Sequence, residues 1–149
     1  MTAVGKALVV DDSSVNRLLL VRRLEALGLE VMQAENGVLA LELLAANPGA
    51  VDVVLLDVLM PELDGLEATR RIRKRWPDRQ LQIVAMTANA MAGDREACLA
   101  AGMDDYISKP IRPAELAAAL ERVPMAAARI VQRRPRKATK AKAKSNARA

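Results

Sequence analysis

Five times between residues 7 and 123 a short aliphatic run is followed by a longer stretch of helical periodicity, and this alternation leaves few folds open. The short runs are 7–10, 30–33, 51–56, 81–85 and 105–107. The helical stretches are 14–27, 37–46, one from about 64 to just before Pro77, 90–101 and 113–123. Leu20, Leu24 and Leu27 share one face of the first; Gly28 then suits a helix C-terminus. Leu39, Leu43 and Ala46 form the expected inner face of the second, which Pro48 and Gly49 end. Leu66 and Ile72 mark the third, Gly102 closes the fourth, and Pro113 fits the first turn of the fifth. Strands alternating with helices predict an α/β domain: a parallel sheet covered on both faces. The run VDVVLL is almost continuously apolar, as a central strand buried on both sides must be.

Composition decides what the core is made of and which chemistries are closed. With one Trp, one Tyr and no Phe, the core must be aliphatic. Stacking of single-stranded nucleic acid on the folded part has no rings to use. The absence of His excludes a histidine phosphodonor, a Ser-His-Asp or Cys-His hydrolase and a His-ligated metal. The single Cys98 excludes an internal disulfide and a cysteine zinc cluster, and suits a reducing compartment. Cys98, Trp76, Met86, Met91 and Met103 read as packing residues. No segment reaches the roughly 18 apolar residues of a bilayer span. No secretory leader precedes Asp11 and Asp12, so a cytoplasmic protein without membrane insertion is expected.

Charge divides the chain. Residues 129–149 hold nine basic residues and no acid, whereas 1–128 hold 14 basic and 18 acidic residues. The expected organisation is an acidic domain over 1–124 and a basic C-terminal tail over 125–149. The tail has no apolar periodicity and cannot offset its own ordering entropy, which predicts disorder. Such a tail suits non-specific binding of nucleic-acid phosphates or an acidic partner, or serves only as a linker. The cluster Arg70, Arg71, Arg73, Lys74 and Arg75 reads as a solvated helix face.

In open α/β sheets, ligands bind beyond the carboxyl ends of the strands. Asp11 and Asp12 follow the first strand run, Asp57 the third, Thr87 the fourth and Lys109 the fifth. If the first and third strands are neighbours, three carboxylates converge, which is costly without a compensating cation. Oxygen ligands alone favour a hard divalent ion, Mg²⁺ foremost. A carboxylate, a hydroxyl, an ammonium and a metal together suit phosphoryl chemistry.

The segments LVVDDSSVNR (8–17), VVLLDVLMPELDGLE (53–67), IVAMTANAM (83–91) and AGMDDYISKPI (101–111) resemble the receiver domain of two-component response regulators. Asn16 and the wording of the last two segments resemble receiver modules of hybrid sensor histidine kinases. The resemblance implies a flavodoxin-like, doubly wound sheet of five strands in the order 2-1-3-4-5 with five helices. It also implies a phosphoacceptor switch, phosphorylated on Asp57 by a histidine kinase or phosphotransfer protein. Asp57, Asp12 and the Leu59 backbone carbonyl would ligate Mg²⁺, with Asp11 assisting through water. Thr87 and Tyr106 would be the switch pair, and Lys109 would hold the phosphoryl oxygen from a cis Lys109–Pro110 bond. Output would pass to a partner on the surface of the fourth helix, fifth strand and fifth helix. Such a switch phosphorylates itself, loses the group slowly and turns over no external substrate. Aspartyl-nucleophile phosphatases place a second acid two residues after the nucleophile, where this chain has Leu59. The remaining alternative is a tail-borne nucleic-acid or acidic-partner binding module that the folded domain regulates.

Overall fold

The computed structural model describes residues 5–58, 60, 63–77, 81–88 and 92–123, the side chains of 92–94 excepted. The elements are β1 (Gly5–Val10), α1 (Ser14–Ala26), β2 (Leu29–Ala34), α2 (Gly37–Ala46) and β3 (Val53–Asp57). They continue with α3 (Gly65–Arg75), β4 (Gln82–Thr87), α4 (Ala92–Ala101), β5 (Asp105–Ser108) and α5 (Pro113–Glu121). All strand pairs are parallel, and the sheet runs β2-β1-β3-β4-β5. The expected α/β class and strand order are therefore both present. The expected tail and the Leu59 carbonyl lie outside the described residues, as does Met91.

Local sequence chemistry starts the helices. Ser13, Asn36 and Asp64 each accept a hydrogen bond from the backbone N–H three residues on, capping α1, α2 and α3. Gly28 takes φ +94° after α1 and Gly102 takes φ +111° after α4, conformations that suit glycine.

The period-2 alternation of the strands feeds two cores. Ala7, Val9, Val53, Leu55, Val84 and Met86 face α1 and α5, packing with Leu20, Leu24 and Leu116. Leu8, Val10, Val54, Leu56, Ile83 and Ala85 face α2, α3 and α4, packing with Leu44, Ala68, Ile72 and Cys98. β3 is buried at every position.

Several expectations need correction. β3 and β4 each run on to include the residue expected to follow them, because Asp57 still pairs with Met86 and Thr87 with Ser108. Leu27 is the exposed C-cap of α1 rather than part of its buried face. In α2 the inner face is Gly37, Ala40 and Leu44, while Leu39 and Ala46 are exposed. The run GVLALELLAA is apolar nearly all round, so periodicity alone does not select its inner face.

The basic face of α3 is also not uniform. Arg70 and Arg71 make exposed ion pairs with Glu67, as a solvated face should. Arg73 does not. Its Nε donates to the Gly102 carbonyl at 2.9 Å, Nη1 to the Leu81 carbonyl at 2.6 Å and Nη2 to Asp104 Oδ2 at 2.7 Å. The same Asp104 oxygen accepts the Ile83 N–H at 2.8 Å. One guanidinium thus ties α3 to the start of β4 and to the α4–β5 connection. Arg73→Ala should lower stability by about 2 kcal/mol, because charge-assisted bonds are broken and carbonyls lose their donors. Urea unfolding measures this. A loss under about 0.5 kcal/mol would make Arg73 an ordinary screened surface charge.

Candidate functional site

The carboxyl ends of β1, β3, β4 and β5 lie side by side, and five sequence-predicted residues stand there. Asp57 is the last residue of β3 and is only 4% exposed. Thr87 ends β4 and is buried. Asp11 follows β1 and is buried, with Asp12 beside it exposed to solvent. Lys109 follows β5, and its bond to Pro110 is cis, as expected.

Asp11, Asp12 and Asp57 each bring a carboxylate oxygen within 4.8 Å of the others. Lys109 Nζ lies 3.1 Å from Asp57 Oδ2 and 3.5 Å from Asp11 Oδ2. The Lys109 ammonium thus pairs with two of the three clustered carboxylates. Asp11 Oδ2 is buried and has no hydrogen-bond donor among the described residues beyond its ion pair with Lys109. These features fit a hard divalent cation: carboxylate oxygens brought together and a buried acceptor without a hydrogen-bond donor.

Backbone bonds fix these side chains. Asp11 Oδ1 accepts the Ser13 N–H at 2.9 Å, and the Asp11 carbonyl accepts Arg17 Nη1 at 2.6 Å. After Asp57, the Val58 N–H donates to the Met86 carbonyl, and the Gly65 N–H returns to the Val58 carbonyl. The Lys109 N–H donates to the Thr87 carbonyl at 2.7 Å, binding the lysine-bearing connection to the end of β4.

Tyr106 stands on β5, half-buried against the α2–α3–α4 core. The Arg95 guanidinium of α4 lies 5.5 Å from its ring centroid. Sequence reasoning missed Arg17 and Arg95, because a lone arginine on a helix carries no signal of what its long side chain will reach.

Residues 7–121 match the response regulator receiver domain. The chain belongs to that family. It is 43% identical over 115 residues to the sensor histidine kinase GacS of Pseudomonas protegens, covering 75% of this chain and 12% of that one. The chain spans about a tenth of the length of the curated kinases it matches. The receiver domain of the sensor histidine kinase PA1611 from Pseudomonas aeruginosa, solved with a magnesium ion coordinated in its active-site cleft, is 42% identical with a TM-score of 0.70. That likeness covers 79% of this chain and 95% of that one. A chain in the co-crystal of the Saccharomyces cerevisiae phosphotransfer protein Ypd1 with the receiver domain of Ssk1 is 25% identical with a TM-score of 0.73, over 80% of this chain and 88% of that one. This receiver domain therefore belongs to two-component phosphorelay signalling. Its acidic crevice sits at the strand ends where the doubly wound sheet reverses direction.

Proposed function

We propose that this receiver is a phosphoacceptor switch in which Asp57 takes a phosphoryl group from the phosphohistidine of a kinase or phosphotransfer protein. The observation that carries the reading is the acid cluster with Lys109 Nζ 3.1 Å from Asp57. An Asp57 carboxylate oxygen attacks phosphorus, the phosphorus–nitrogen bond to the partner's imidazole breaks, and an acyl phosphate forms. The Lys109 ammonium then faces the phosphoryl oxygens that replace the carboxylate charge. Thr87, at the end of the adjacent strand, supplies the hydroxyl that turns toward the new group. Tyr106 follows it, altering the α4–β5–α5 surface on which an output partner reads the state.

Asp12 and Asp57 would hold Mg²⁺ directly and Asp11 through water, with the Leu59 carbonyl as a further ligand. Bound there, the ion neutralises charge on the transferring phosphoryl group. The group transferred stays on the protein until it is hydrolysed, so no external metabolite is turned over.

The test joins metal and chemistry. NMR titration should detect weak Mg²⁺ binding to the wild type, since this ion keeps several waters. Asp12→Ala should weaken it at least about tenfold, since even a group that only orients a metal ligand is worth about 10–100-fold in affinity. Undiminished affinity in Asp12→Ala would contradict the role given to Asp12.

A further inference from the structure

Lys109 opens a connection whose Ile111 packs partly buried against the core beneath α1 and α5. Residues 109–112 join β5 to α5. Pro110 offers no N–H, and Arg112 caps α5 without a side-chain hydrogen bond. The Lys109 N–H anchors one end on the Thr87 carbonyl. At the other end, Arg23 of α1 donates from Nη1 to the Ile111 carbonyl at 2.6 Å, across 88 residues of chain. Between α1 and this connection lies a cavity of about 450 Å³, whose lining includes Leu19, Arg23, Met86, Lys109 and Ile111. Packing therefore leaves one side of the connection open, and the guanidinium bridges it.

We propose that Arg23 is a positioning residue for the phosphoryl reaction: its bond to Ile111 holds Lys109 Nζ at Asp57 and Asp11. The proposal rests on the phosphoacceptor reading above. Arg23 is about a helix turn and a half beyond Arg17, which grips the Asp11 carbonyl. One helix thereby carries clamps for both the acid loop and the lysine loop. The Arg23 clamp acts on the backbone two residues from the ammonium and touches no reacting atom.

The experiment is a double-mutant cycle, read as the rate of phosphorylation of the full chain by acetyl phosphate in Mg²⁺. Arg23→Met should slow the reaction about tenfold, the scale of a small misplacement of a reacting group. Arg23→Lys, which keeps a charged donor, should recover part of the rate. In a Lys109→Ala background, Arg23→Met should change the rate less than about twofold, because interacting residues are not additive. Melting temperatures of all variants show whether each is folded. Wild-type rates in a folded Arg23→Met overturn the proposal, and so does the same slowing with or without Lys109. If Arg23→Met fails to fold, Arg23→Lys alone and with Lys109→Ala carries the same comparison. No phosphorylation of the wild type overturns the phosphoacceptor reading itself, and the proposal with it. Slow Lys109→Ala beside normal Arg23 variants overturns the proposal alone.

Discussion

Gly65→Ala is expected to cost about 3 kcal/mol of stability, the upper range for forced overpacking of a close-packed site. Gly65 is buried at the first position of α3. A Cβ built there would overlap the Asp57 carbonyl oxygen, lie 2.9 Å from Val58 Cα and 3.1 Å from the Asp57 carbonyl carbon. All three are backbone atoms, so no side chain can swing away. The relief available is to move the end of β3 or the start of α3. Either motion breaks the Gly65 N–H bond to the Val58 carbonyl and shifts Asp57 away from Lys109. Stability and phosphoryl acceptance should therefore fall together. Urea unfolding with a parallel phosphorylation assay checks both. A loss under about 1 kcal/mol, the size of an average substitution, with unchanged phosphorylation would show that the loop yields easily.

The same position illustrates what a sequence can and cannot disclose. The run 53–67 shows its strand, its acid and its helix start, because burial on both faces demands continuous apolar residues and a helix start demands a capping side chain. The closeness of Gly65 to the Asp57 backbone is a tertiary contact with no local signature. Asp57 and Thr87 were legible as strand-end residues, yet the strands extend through them because pairing with Met86 and Ser108 continues. Whether Asp11 and Asp57 converge depended on β1 lying beside β3, which alternation permits but does not dictate. The inner face of α2 was misassigned because its apolar residues surround the helix. Arg73 hid among five basic residues of one helix, although it alone of the five reaches both Leu81 and Asp104. Long flexible side chains reveal their partners only when the fold is known.

Asp57→Asn is expected to abolish phosphoryl acceptance outright. An amide lacks the anionic oxygen that attacks phosphorus, and it removes the charge that Lys109 faces at 3.1 Å. Asp11 and Asp12 remain in place but do not substitute. Asp11 Oδ1 is occupied by the Ser13 N–H, and Asp12 stands exposed at the rim of the cluster. The fold should persist, since Asn is nearly the same size and β3 holds its place through backbone pairing with β1 and β4.

The direct measurement is intact mass after incubation with acetyl phosphate and Mg²⁺, for the wild type and for Asp57→Asn. The account predicts one phosphoryl adduct on the wild type and none on Asp57→Asn. An adduct of equal strength on Asp57→Asn would contradict it and move the phosphoacceptor to another residue.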